Sequence, residues 1–145
     1  MLRGNFGEFD RPYFFCTVYM ARLGVSGSVR FMLDTGADTT MLGNSDAKRL
    51  GIGSERLGPS RLLHGLGGSA IVHDERASLV FSGDSGTQYA HDIDLAILDP
   101  EGDPIPSLLG RNVFGNWRFD YSQLERRLAA EVIRCDRSST ALHWG

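Results

Sequence analysis

Eighteen glycines constrain the fold of this chain more than any other feature. They punctuate short runs of β-branched and aromatic residues and supply the positive φ values that tight hairpin turns demand. The runs span residues 13–22 (YFFCTVYMAR), 29–33, 70–73, 76–81, 88–98 with gaps, and 116–121, each bounded by Gly, Asp or Pro. Gly24-Val25-Ser26-Gly27 and Ser82-Gly83-Asp84-Ser85-Gly86 are read as hairpin turns. Helix is sparse. Asn44 or Ser45 is placed to cap a short helix over 46–50 that Gly51 ends, and 110–114 forms another turn or two. The pattern predicts an all-β fold with one or two short helices. In the tail, Ser122 and Glu125 have capping-box spacing, and Leu124, Leu128 and Val132 would share one face, so the local pattern predicts a helix over 123–133.

Composition narrows the function classes. With 145 residues and no low-complexity tract, the chain is expected to form a single domain over 1–145, with a core at about 13–121 and an extension over 122–145. Its 41% apolar and 23% charged residues are ordinary for a folded protein, and no apolar run reaches the roughly 18 residues a membrane helix needs. The first ten residues lack the apolar stretch of a secretory signal, so a cytoplasmic location is expected. A net charge of −3 with scattered Lys and Arg offers no basic face for nucleic acid. Cys16 and Cys135 lack metal or disulfide spacing and are read as buried free thiols. His73-Asp74-Glu75 and His91-Asp92-Ile93-Asp94 lack metal-ligand spacing and are read as solvated polar faces. No metal and no cofactor is expected. The run from Gly65 to Ala70 fits GxGxxA, but it continues as a strand rather than opening a helix. Gly83-Asp84-Ser85-Gly86 is explained by a turn.

Chemistry points to Phe31-Met32-Leu33-Asp34-Thr35-Gly36-Ala37-Asp38. An apolar strand carries a lone carboxylate into a corner that Thr35 and Gly36 can turn. If a second such carboxylate lies within a few ångströms, both cannot be ionised together. The pair then holds one proton and offers an acid and a base at once, the arrangement of aspartic proteases. Gly36 leaves room for close backbone approach, and the Thr35 hydroxyl can both donate and accept across a symmetric contact. There is only one such corner in the sequence. Two are needed, so the reading requires a homodimer with its two-fold axis through the site.

The Asp34-Thr35-Gly36-Ala37-Asp38 run closely resembles the active-site motif of retropepsins, the single-domain aspartic proteases of retroviruses and their bacterial relatives. Two further segments resemble the family in the right order. Leu62 to Val72, with His64, Gly65, Leu66, Gly67 and Gly68, looks like the glycine-rich flap hairpin. Ser107-Leu108-Leu109-Gly110-Arg111-Asn112 looks like the strand, glycine and short helix that follow. The resemblance spans roughly residues 13–121. It implies a retropepsin-like closed β-barrel with a flap, and a homodimeric endopeptidase in which Asp34 of each subunit, with Thr35 and Gly36, activates water against a peptide or protein substrate. It further implies that the Leu66 amide holds a substrate-contacting water, that Ala37, Asp38, Gly65 and Gly67 meet the peptide, that Ile105 lines a pocket wall, and that Arg111, after Gly110, pairs with Asp38. His64 replaces a glycine of retroviral members. It would change substrate contacts or make activity respond to pH in the imidazole range. The chain after Tyr121 is longer than in retroviral members, whose termini interleave to make the dimer sheet; bacterial relatives continue there with another strand, so the resemblance implies a strand over 126–133, which stands equally beside the helix that local capping predicts. Two alternatives stand beside the enzyme: a catalytically silent module that binds peptide or dimerises, and a protease segment released from a larger precursor.

Overall fold

The computed structural model describes residues 1–65 and 68–140. Short strands β1 (Leu2–Arg3) and β2 (Asn5–Phe6) lead into β3 (Pro12–Met20), which pairs antiparallel with β4 (Val25–Leu33) from Tyr13↔Met32 to Met20↔Val25. Then follow β5 (Met41–Leu42), α1 (Asn44–Arg49), β6 (Ser60–Gly65), β7 (Gly68–Ser82) and β8 (Thr87–Leu98). The chain ends with β9 (Leu108–Leu109), α2 (Arg111–Phe114), β10 (Trp117–Ser122), β11 (Arg127–Val132) and β12 (Arg137–Thr140). The sheet β8-β5-β9-β4-β3-β7 returns to β8 through the long β7–β8 ladder, so six strands close a barrel, in agreement with the all-β pattern and with the closed barrel that the resemblance implies. Closure removes the edges that an open sheet would leave unpaired. A separate sheet, β1-β11-β10, covers one side. Among the described residues no helix is long and apolar enough to cross a membrane.

Alternation decides which residues fill the barrel. In β3, Phe14, Cys16, Val18 and Met20 point inward, whereas Phe15 and Tyr19 point out. They meet Phe31 of β4, Leu79 and Phe81 of β7, and Leu95 and Ile97 of β8, all essentially inaccessible. Each such side chain contributes about 1.5–3 kcal/mol on burial. Burial also pushes the Cys16 thiol well above its usual range, as expected of a structural cysteine. Cys135 is only half-buried, which corrects its expected burial.

Several local expectations give way to tertiary contacts. The turn expected at 24–27 lies instead over 21–24, where Gly24 takes φ +63 and donates to Ala21 O; Gly27 is already paired with Val18. The two strands expected at 70–73 and 76–81 are one strand, β7. The acids between them are accommodated by cations: Asp74 accepts from Nε and Nη2 of Arg61, and buried Glu75 is held by Arg22 at 2.5 and 2.8 Å. For the tail, the strand reading holds. Ser122 Oγ does accept from Glu125 N, but it closes the β10–β11 turn instead of opening a helix. Leu128, Ala129 and Ala130 are buried while Leu124 is 94% exposed, so no helical face joins Leu124 to Leu128.

His91, read from sequence as solvated, is 2% exposed. It packs against Phe81 and Trp117, and Trp117 Nε1 donates to His91 Nε2 at 3.0 Å. That donor requires an unprotonated Nε2, so the ring is the neutral Nδ1–H tautomer. Burial holds its pKa below the ordinary value, against the opposing pull of Asp136 and Asp92. The unfolded chain therefore takes up a proton as pH falls through about 6.5, ahead of the folded chain, and stability declines from there, by at most about 1.4 kcal/mol per pH unit, until the folded ring also titrates. Asp84, Asp92 and Asp99 have lowered pKa values, so their contribution is lost only at pH below the ordinary carboxylate range. Urea melts between pH 7 and 5 test this. The decline in that window is expected to vanish in His91→Gln, which keeps an acceptor for Trp117 without titrating.

Candidate active site

Asp34 stands where β4 ends. Its backbone N–H donates to Leu109 O of parallel β9, and its carbonyl accepts from Ala37 N, which turns the chain through Thr35 and Gly36. Its carboxylate Oδ1 accepts from Gly36 N at 3.0 Å. Asp34 is half-buried, whereas Thr35 and Gly36 are exposed beyond it. A carboxylate held this way is oriented by its own turn and open on its outer side.

The corner is braced from behind by β9 and α2. Arg111 N donates to Ala37 O and Asn112 N to Asp38 O, at 2.8 and 3.1 Å. The side-chain Oδ1 of Asn112 accepts from both the backbone N–H and the hydroxyl of buried Thr40, and that hydroxyl in turn accepts from Gly110 N. Arg111 forms an ion pair with exposed Asp38 in the same chain. Gly110 packs directly on the backbone of the corner: a Cβ there would lie 2.5 Å from Thr39 C and 2.8 Å from Thr40 N. Met32↔Leu108 and Leu33↔Leu109 set the two similar apolar segments, FMLD and SLLG, side by side. Thr40 and Asn112 are the bracing residues to which sequence reasoning assigned no role. Their pairing spans 72 positions and leaves no local pattern.

A second support holds the loop before β9. The Asn44 amide donates to Asp103 O at 2.6 Å and accepts from Ile105 N at 2.8 Å, while Ser107 Oγ accepts from Gly43 N and donates to Asp46. Asn44 is thus used at long range; the N-cap of α1 is Gly43. Ile105, 38% exposed, rides on this anchored loop.

The β6–β7 hairpin carries the glycine-rich run. Leu66 and Gly67 lie outside the described residues, and Gly65 pairs with Gly68. Register separates the two faces of the hairpin, because directly paired residues share a side. Leu63 and Ala70 pack with Met41, Val72, Ala96, Leu98 and Leu108, an apolar cluster on the barrel. Leu62, Ile71, His64 and Ser69 take the opposite face, where His64 Nδ1 lies 3.0 Å from Ser69 Oγ. The imidazole therefore points away from the barrel, a placement the motif alone did not reveal. A cavity of about 600 Å³ opens elsewhere, between Met20, Arg22, Ser26, Glu75 and Arg137, at the far end of the β3–β4 ladder from Asp34.

Among the described residues no group of three His, Cys, Asp or Glu is placed to hold a metal ion. Comparison with curated proteins finds no match to the chain. Among solved structures it is similar to a retropepsin-like aspartic protease from Rickettsia conorii, at 18% identity and a TM-score of 0.49, over 88% of this chain and 95% of that one. Residues 21–113, well over half of the chain, match the family described as aspartyl protease. That stretch runs from the β3–β4 turn through the Asp34 corner to the Gly110-Arg111-Asn112 brace, and on it the chain belongs to the aspartyl protease family.

Proposed function

We propose that the chain is a homodimeric aspartic endopeptidase in which Asp34 of each subunit supplies one carboxyl of a water-activating pair. The observation that carries this reading is the half-exposed Asp34 in a braced corner with Thr35 and Gly36 open beyond it. One carboxyl cannot serve as base and acid in the same step, whereas two that share a proton can. The ionised Asp34 takes a proton from a bound water, whose oxygen attacks the carbonyl carbon of the scissile amide. The neutral Asp34 of the second copy protonates the carbonyl oxygen. Collapse of the tetrahedral species breaks the C–N bond as the first Asp34 passes the proton it took from water to the amine nitrogen and the second Asp34 recovers its proton from the gem-diol hydroxyl, and no covalent intermediate forms.

In this reading the β6–β7 hairpin is the flap, and the Leu66 amide with Gly65 and Gly67 closes over an extended peptide bound as an added strand. Ala37 and Asp38 meet the peptide backbone, and Arg111 holds Asp38. Leu63, Ala70 and Ile105 offer apolar walls. His64, tied to Ser69 on the outer face, contributes through its backbone and by stiffening the hairpin instead of by imidazole contact with substrate.

A mixing experiment tests the shared site. Excess Asp34→Asn chain is added to a fixed amount of wild type digesting unfolded casein. Turnover per wild-type chain is expected to fall with the excess, because mixed dimers hold a single carboxyl. Turnover independent of the excess would mean that one chain suffices.

A further inference from the structure

The two most exposed large apolar side chains among the described residues are Leu124, at 94%, and Phe9, at 86%. They stand at the tips of two neighbouring hairpins. Phe9 lies in the loop between β2 and β3, and Leu124 in the turn between β10 and β11. The tips are tied together: Asp10 pairs with Arg126 and is approached by Gln123, the Arg126 guanidinium lies over the Phe6 ring, and Phe6 packs edge-on against Tyr121. Among the described residues, the non-glycine residues with positive φ are Phe9 (+57), Asp10 (+57) and Arg126 (+56), all in this one place. A bulky aromatic resists that conformation, and strain of this kind persists only where surrounding contacts enforce it. Here the enforcement holds an aromatic ring out in water, where the Arg11 guanidinium, 5.3 Å from the ring centroid, leaves it 86% exposed.

Register places these tips relative to the site. Tyr13 is paired with Met32, so the loop ahead of Pro12 projects past the end of the β3–β4 ladder at which Asp34, Thr35 and Gly36 emerge. The charges on the tips balance, with Glu8, Asp10 and Glu125 against Arg11, Arg126 and Arg127, so the face does not repel a copy of itself. The first and last strands of the described residues are meanwhile paired within the chain, β1 with β11 and β12 with β8. From these observations we infer that the paired tips, through Phe9 and Leu124, are a docking surface for a second copy of this chain, continuous with the contact that brings the two Asp34 residues together. The inference rests on the homodimer reading above and specifies how that dimer is held.

Sedimentation equilibrium of the full chain over a range of concentrations tests it, using wild type, Phe9→Gly with Leu124→Ser, and Tyr19→Ser as an exposed aromatic control at the opposite end of the ladder. The double variant is expected to weaken dimerisation at least about tenfold, since a few buried apolar anchors dominate such contacts. Its casein turnover falls at low concentration and recovers at high concentration, and Tyr19→Ser behaves as wild type. Phe9→Gly alone, measured under monomeric conditions, keeps or raises the melting temperature because glycine accepts φ +57 without strain. A lowered melting temperature would mean that Phe9 serves the monomer and would overturn the inference. A double variant that dimerises like wild type overturns the inference and leaves the shared site standing. A wild type that stays monomeric at every concentration removes both.

Discussion

Asp34→Asn is expected to lower peptide-bond hydrolysis by more than about a thousandfold, because the substitution removes the base and the acid together in a homodimer and each typically contributes about 10²–10⁴-fold. The fold should not notice. Asn is the same size, and its Oδ1 can still accept from Gly36 N, the bond that shapes the corner. The melting temperature is therefore expected to stay within about 2 °C of wild type, as for a substitution that breaks no packing and leaves no buried group unpaired. Casein digestion from mildly acidic to neutral pH, beside a thermal melt, separates the outcomes. Hydrolysis that persists unchanged in the variant would exclude a mechanism through Asp34. Wild type that binds but never cleaves would favour a silent peptide-binding or dimerisation module on the same barrel. A melting temperature that falls sharply would show that the carboxylate itself holds the corner in place, and the loss of activity would then say nothing about chemistry.

Gly110→Ala should be severely damaging although chemically conservative. The φ of Gly110 is −101°, which any residue adopts, so the constraint is space. The added methyl would meet the Thr39 carbonyl carbon and oxygen at 2.5 and 2.6 Å and Thr40 N at 2.8 Å. All three are backbone atoms of the segment that runs on from Asp34, so no side chain can swing aside. Either α2 withdraws, breaking the Thr40–Asn112 and Gly110–Thr40 hydrogen bonds, or the corner shifts. Overpacking of this kind costs about 3 kcal/mol, or a melting temperature lower by about 10 °C in a chain of this length. A displacement of about 1 Å at the corner costs about a hundredfold in rate even where the fold survives. Gly58→Ala is the matched control, since a methyl there meets nothing within 4 Å; it is expected to change stability by less than about 0.5 kcal/mol. Equal melting temperatures for the two variants would refute the close approach of α2 to the Asp34 loop.

Residue by residue, legibility from sequence followed the range of the interaction. Asp34, Gly36 and the strand leading to them were readable because the turn is built from neighbours: Ala37 N to Asp34 O and Gly36 N to Asp34 Oδ1. Alternation in β3 and β4 was readable for the same reason, since every second side chain declares its face. The Ser122–Glu125 spacing was equally local and formed its hydrogen bond, yet a strand followed it. The helix it could have begun would have had to bury Leu124, whereas pairing with β10 and β1 buries Leu128, Ala129 and Ala130. Burial of Glu75 depends on Arg22, 53 positions away, and burial of His91 on Trp117, 26 positions away.

By itself, then, the sequence determined a glycine-punctuated all-β chain with a single Asp-Thr-Gly corner at a strand end, because turns and alternation are properties of adjacent residues. Only the tertiary structure decided that α2 braces that corner through Thr40 and Asn112, that His64 faces away from the barrel while Leu63 and Ala70 face it, and that the loops carrying Phe9 and Leu124 are tied together through Asp10 and Arg126. These placements follow from strand register and barrel closure, in which residues far apart in the chain satisfy each other's hydrogen bonds and share burial, and no local pattern encodes the partner.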